Sequence, residues 1–269
     1  MADQSRLRIG VGGWIYKPWR GVFYPSDLTQ KDELRFASRH LSSIEINGTY
    51  YGSQKPESFI KWHDETPDDF VFSVKGPRFT TNRRVLAEAG DSVARFFSSG
   101  VLELKDKLGP INWQLSPTKR FDPDDFAAFL GLLPRAIENR AIRHVVEVRH
   151  ESFRDPKCIA LAREHNVAIC IAGDGEYVGI ADVTADFVYV RLMGTTEAEP
   201  KGYSDAALDR WLARAKAWSA GESPDDDLPL IGEAARREPR DVFLYVISGY
   251  KERDPWAAMA LIERLGRDK

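Results

Sequence analysis

Eight short apolar runs rich in β-branched and aromatic residues recur along this 269-residue chain, and most of the segments between them carry helical periodicity. The runs are Leu7–Gly12, Ser43–Asn47, Phe70–Lys75, Ile111–Leu115, His144–Val148, Val167–Ile171, Phe187–Arg191 and Val242–Ile247. Parallel neighbours in a sheet need a crossover long enough to hold a helix, so this alternation specifies an α/β chain with a parallel sheet. Eight units without an intervening linker predict a single (β/α)8 TIM-like barrel over residues 1–269, with an open doubly wound sheet as the competing arrangement. A dinucleotide fold is disfavoured. Gly10-Val11-Gly12-Gly13 is glycine-rich, but Trp14, Tyr16, Pro18 and Trp19 follow where GxGxxG would open a helix.

The helices announce their starts. Asp122-Pro123, Asp155-Pro156 and Asp254-Pro255 each read as an N-cap followed by Pro at the first helical position. Phe126, Phe129, Leu130 and Leu133 then form an apolar stripe. Ser204 opens a helix with Leu208, Trp211, Leu212, Ala215 and Trp218 on one face, closed by Gly221. Asp91 is expected to open another, with Val93, Phe97, Val101, Leu104 and Leu108 along one side. Residues 172–186 hold three glycines and no stripe, so a loop is expected in place of the sixth helix. Glu222–Asp227 reads as a solvated acidic loop.

Composition narrows the function classes. A net charge of −3 argues against a basic field over the whole surface, while leaving a local basic cleft open to nucleic acid. Cys158 and Cys170 lack CxxC spacing and read as reduced, buried thiols. The segment Met1–Arg6 has no apolar signal region, and no apolar run approaches the ~20 residues that cross a bilayer, so a cytoplasmic protein without a membrane partner is expected.

Val145-Val146-Glu147-Val148-Arg149-His150 begins as a buried strand and ends in three ionisable groups. Strand side chains alternate, so Glu147 and Arg149 share one face. In a barrel, functional groups come from the carboxyl ends of strands. Those ends supply Trp14 and Tyr16, then Glu45 and Asn47 with Tyr51 beyond, then Lys75 with Arg78, and then Gln114. Glu147, Arg149 and His150 follow from the fifth strand, Tyr189 and Arg191 from the seventh. A single buried ion pair would need no function, but at least five charges gathered at one end point to a polar pocket. Glu45, Glu147, Lys75 and His150 are the candidates for acid–base or charge-stabilising chemistry, although the neighbouring cations favour keeping both carboxylates ionised.

Lys75, Arg78, Arg149 and Arg191 outnumber the two carboxylates, so an anionic small molecule, above all a phosphate-bearing one, is the expected partner. The aromatic residues at the mouth suit either stacking on a ring or closing a hydrophobic lid. Only His150 among five histidines is placed to ligate a metal. That disfavours zinc, and no cofactor is expected, with a carboxylate-bound Mg²⁺ left open. Three function classes follow, of which the first two are an enzyme acting on an anionic substrate, with hydrolysis as its candidate reaction, and a non-catalytic module that binds a nucleotide or nucleic acid. A barrel whose site has decayed is the third.

The same residues resemble the YecE-like family, a domain of unknown function. The resemblance runs through Gly13-Trp14, Trp19 and Phe23-Tyr24-Pro25, then Ile44-Glu45-Ile46-Asn47 with Thr49 and Tyr51, and Phe72-Ser73-Val74-Lys75 with Pro77-Arg78. It continues in Leu108-Gly109-Pro110, Gln114-Leu115, Glu147-Val148-Arg149-His150 and Tyr189-Val190-Arg191. It implies a TIM-like barrel and no established reaction. This chain departs from the family pattern at Asn82 and Met193, where relatives often carry His, and at Ser248-Gly249, which replaces an Asn pair.

Overall fold

Strand alternation sorts the side chains of this chain into two cores, one inside a ring of strands and one between that ring and its helices. The computed structural model describes residues 6–224 and 228–267, so Met1–Ser5 and the Asp225–Asp227 part of the acidic stretch lie outside the described residues. The strands are β1 (Leu7–Gly12), β2 (Ser43–Ile46), β3 (Val71–Lys75), β4 (Leu108–Gln114) and β5 (His144–Glu147). Then come β6, in two short segments (Ala168–Ile169 and Ile171–Ala172), β7 (Phe187–Leu192) and β8 (Asp241–Val246). All pair in parallel in chain order, and β8 returns to β1. The first segment of β6 pairs with β5 and the second with β7, so β6 joins the two ends of the sheet and the architecture is an α/β barrel.

The break in β6 has a local cause. Thr184 Oγ1 accepts from the Ile169 amide (2.8 Å) and donates to the Val167 carbonyl (2.8 Å), taking the ladder bonds that β7 would otherwise supply. Thr184 belongs to residues 173–186, where no helix forms, as expected from the glycines. The helices that cover the other crossovers are α1 (Glu33–Ala37), α2 (Pro56–Glu65), α3 (Gly90–Phe97), α4 (Pro123–Leu132), α5 (Pro156–Glu164), α6 (Asp205–Ala220) and α7 (Asp254–Arg267). Asp122 caps two amides of α4, Asp155 caps α5, Ser204 caps α6, and left-handed Gly221 ends it.

Two helix expectations are corrected. The stripe from Asp91 is not one helix: α3 stops at Phe97, and a 3₁₀ segment starts at Val101 after Gly100, whose φ of 102° interrupts the helix. Val93, Phe97, Val101 and Leu104 are buried all the same, but Leu108 already belongs to β4. Asp254 does not cap α7. Its Oδ1 accepts from Thr195 Oγ1 (2.9 Å), which ties the start of α7 to the segment after β7.

Ile9, Val11, Ile44, Phe72, Trp113 and Val146 face outward into the helix-covered core. Inside the ring, Val145, Ala168, Phe187 and Phe243 pack at the amino end of the strands, closed below by Arg143 with Asp241 (2.6 Å). Tyr189 and Tyr245 form the next layer, hydrogen-bonded to Ser73 and Ser43 (2.7 Å each). Such stacked layers make the barrel a filled core and not a pore. Gly10 permits this closeness, since a Cβ there would stand 1.8 Å from the Ser43 carbonyl oxygen. Gly10→Ala is therefore expected to cost about 3 kcal/mol or more of stability, measured by denaturant unfolding; an unchanged midpoint would show that β1 and β2 can separate freely.

Candidate functional site

The layer above the tyrosines is charged. Alternation carries Glu45 from β2, Lys75 from β3, Glu147 from β5 and Arg191 from β7 to the interior at the carboxyl end, and all four are buried. Arg191 is the hub. Its Nη1 donates to Glu147 Oε2 (2.6 Å) and its Nη2 to Glu45 Oε1 (3.1 Å). Gln114 Nε2 donates to both oxygens of Glu147 (2.8 and 2.9 Å), and Arg149 Nε and Nη2 converge on Oε1 (2.8 and 2.6 Å). Asn112 Nδ2 bridges Glu45 (3.3 Å) and Glu147 (3.2 Å), and the Tyr189 hydroxyl donates to Glu45 Oε2 (2.5 Å). Burial alone would push the Glu147 carboxyl up, but Arg191, Arg149 and Lys75 outweigh it and hold it down at about 2.

Lys75 is treated differently. It is only 6% exposed, yet no carboxylate of the described residues stands within 4.0 Å of its ammonium. The ammonium lies 4.6 Å from the centroid of the Tyr50 ring. Desolvation, helped by the nearby Arg191 charge and opposed by the two glutamates, lowers its pKa to about 8. Arg191 has two carboxylates and Arg149 has one; Lys75 has none at contact distance.

Lys75 and Arg191 open onto a cleft of about 500 Å³ at the barrel mouth. Trp14, Asn47 and Tyr51 line it as expected, and Trp14 is propped edge-on against Trp62 (5.1 Å). Lys251 and Gln54 line it too, and neither was singled out in the sequence. Lys251 follows β8 in the segment before α7, a place where barrel order could have flagged it. Tyr177, also unforeseen, stacks on Arg149 (4.1 Å) from the helix-free loop.

Three expected site residues join neither the cleft nor the charged network beneath it. Tyr16 stands back from it, packed edge-on to Trp19 (5.5 Å) with Lys251 over its ring (4.7 Å). Arg78 is exposed beside Tyr51, itself 72% exposed, with its guanidinium 6.0 Å from the ring centroid. His150 Nδ1 accepts from the Ser152 amide (3.1 Å) and meets the Ser152 hydroxyl (2.9 Å), so its δ nitrogen is used in a turn. A larger cleft of about 920 Å³ lies between the segments after β3 and β4. There Lys119 is bound to Asp125 (2.6 Å) and Arg83 to the Glu88 carbonyl (2.6 Å), so buried charges do not converge in it.

The departures at the rim are also placed. Asn82 lies in the larger cleft, and the Met193 amide donates to Asp174 (2.6 Å). Gly249 has φ 91° and passes so close to Thr195 that a Cβ would come within 2.5 Å of its carbonyl oxygen. The Ser248 carbonyl oxygen lies 2.8 Å from Thr195 Oγ1.

A filled parallel barrel with an arginine-centred pair of carboxylates at its carboxyl end places this protein among the TIM-like α/β barrels. The chain belongs to the family described as protein of unknown function DUF72, whose model matches residues 8–269. It is similar to the UPF0759 protein YecE of Escherichia coli strain K12, with 30% identity over 150 residues, 55% of this chain and 50% of the relative. The chain thus spans about half the length of the curated relatives it matches. A DUF72-family crystal structure from Thermotoga maritima superposes with a TM-score of 0.76 at 20% identity, covering 97% of this chain and 99% of that one. One from Enterococcus faecalis gives 0.67 at 14% identity, covering 97% of each chain. No helix among the described residues is long and apolar enough to cross a membrane.

Glu147→Gln would leave two arginines short of a counter-charge in a buried network. It is expected to lower unfolding free energy by about 3–5 kcal/mol. Because Glu147 is held below its ordinary 4.5, its contribution is complete above that pH and lost as pH falls toward 2. Unfolding followed against pH should therefore show the variant losing less stability than the parent on acidification.

Proposed function

We propose that the barrel mouth binds a small ligand through a phosphate or similar anionic group, with Lys75 as its principal contact. One observation carries this reading: a buried ammonium faces the cleft without a carboxylate at contact distance. A buried charge left in that condition costs several kcal/mol, and an arriving anion would offset the cost. Arg191 and Lys251 add positive potential to the same cleft, while Trp14, Ile15 and Trp62 offer an apolar wall for the rest of the ligand.

The glutamates take a positioning role in this reading. Glu147 is ionised at neutral pH and surrounded by Arg149, Arg191, Gln114 and Asn112, so it has no proton to give as an acid. Glu45 receives Arg191, Asn112 and Tyr189. With each oxygen of both carboxylates already accepting from nitrogen or hydroxyl donors, the pair is a poor fit for Mg²⁺. Hydrolysis driven by Glu45 and Glu147 is accordingly not part of the reading. A cleft of about 500 Å³ suits a small molecule better than an extended nucleic acid.

Lys75→Met keeps the length of the side chain and removes its charge. It is expected to weaken binding of inorganic phosphate by about tenfold or more, read by calorimetric titration, and to raise stability by roughly 1–4 kcal/mol. A variant that is less stable and binds phosphate as well as the parent would give Lys75 a structural role and end the proposal. Phosphate affinity of the parent should also fall as pH rises past about 8, where Lys75 gives up its proton.

A further inference from the structure

The mouth also holds the ingredients of a covalent amine. Lys75 is the last residue of β3, a strand paired on both sides, and its backbone is registered with Asn112 of β4. Its nitrogen faces the cleft and is not locked in a carboxylate pair that would keep it protonated. Arg191 stands beside it, held on the far side by Glu45 and Glu147, while Lys251 lies on the rim. Trp14, Ile15 and Trp62 form the apolar wall. Desolvation and a neighbouring cation are the two devices by which proteins make a lysine nucleophilic near neutral pH.

We propose that Lys75, in its neutral fraction, condenses with the carbonyl group of a small phosphorylated aldehyde or ketone whose phosphate is drawn in by the Lys75 ammonium and held by Arg191 and Lys251 once the imine forms. This rests on the anion-binding reading above and names its ligand class. In the first step the Lys75 Nζ lone pair attacks the carbonyl carbon, a C–N bond forms, and the carbonyl π pair moves to oxygen. That oxygen gains a proton as the nitrogen loses one, giving a carbinolamine. In the second step the hydroxyl takes up a proton, the C–O bond breaks and water departs, while the nitrogen lone pair forms the C=N bond and the nitrogen gives up its remaining proton. Amine and carbonyl compound thus give imine and water, with no oxidant or reductant.

The lowered pKa of about 8 supports the chemistry. It enlarges the neutral, attacking fraction at neutral pH by two to three orders of magnitude, as a rough figure, over an exposed lysine near 10.5. The cysteines do not compete as nucleophiles at the mouth: burial pushes Cys158 up to about 12 and Cys170 well above its ordinary value.

The test uses the full chain, dihydroxyacetone phosphate as probe and cyanoborohydride to trap the imine by delivering hydride to its carbon, followed by peptide mass mapping. The expected result is one adduct, on the peptide containing Lys75, suppressed by inorganic phosphate and formed about tenfold more slowly from unphosphorylated dihydroxyacetone. Lys75→Arg separates the two ideas, because it keeps a cation for phosphate and cannot form the imine. It should bind phosphate more tightly than Lys75→Met does and give no adduct. An unlabelled Lys75 in a protein that binds phosphate overturns the covalent proposal alone. So does labelling spread over exposed lysines and unchanged in Lys75→Arg. Labelling of Lys75 without any preference for the phosphorylated probe overturns the anion-binding reading and leaves the reactive amine standing.

Discussion

Two carboxylates buried within one barrel repel each other, and the Arg191 guanidinium is what makes their joint burial tolerable. Its side chain starts on β7 and reaches Glu45 on β2 and Glu147 on β5, strands that are not its neighbours. A single planar fork thus links three separated points of the ring. The contact also sets the electrostatics of everything around it. By taking up both glutamates, Arg191 leaves Lys75 with long-range attraction only, so burial, helped by the Arg191 charge, prevails and depresses the Lys75 pKa.

The vertical order of the barrel interior explains why such a network survives. Aromatic and small apolar residues fill the amino end, tyrosine–serine pairs occupy the middle, and charges gather at the open end. Tyr189 links the layers, touching Ser73 and donating to Glu45. Polarity therefore increases step by step toward solvent, and the charged groups receive donors from below as well as from their own level. Asn112 Oδ1 and Arg191 Nε remain buried without partners among the described residues.

Much of this was legible in the chain. Strand parity puts Glu45, Lys75, Glu147 and Arg191 on inward positions, and their meeting follows from parity plus ring closure. What parity cannot assign is pairing. Nothing in the order of residues says that Arg149 and Arg191 are consumed by Glu147 while Lys75 is left over, because that depends on reach across the ring. His150 looked like a free acid–base group and is engaged by Ser152 two positions on, a local turn that competes with any role at the mouth. Tyr16 sits close in sequence to Trp14, but the chain turns away after Trp14 and packs Tyr16 on Trp19. The Asp254-Pro255 pair has the letters of a helix cap, yet its carboxyl is drawn to Thr195 by a tertiary contact that outcompetes the local one. Fold class came from periodicity, which is local; the detail of the cleft came from contacts between distant segments.

The interrupted sixth strand has a mechanical consequence. It contributes two register pairs to β5 and two to β7, whereas β7 and β8 share six and β8 and β1 share five. A closed cylinder with one thin stave concentrates its compliance there. Arg191 is partnered with Ala172 at this very stave, and Tyr177 of the adjoining helix-free loop leans on Arg149. The least-paired stave thus lies beside the two arginines that hold Glu147.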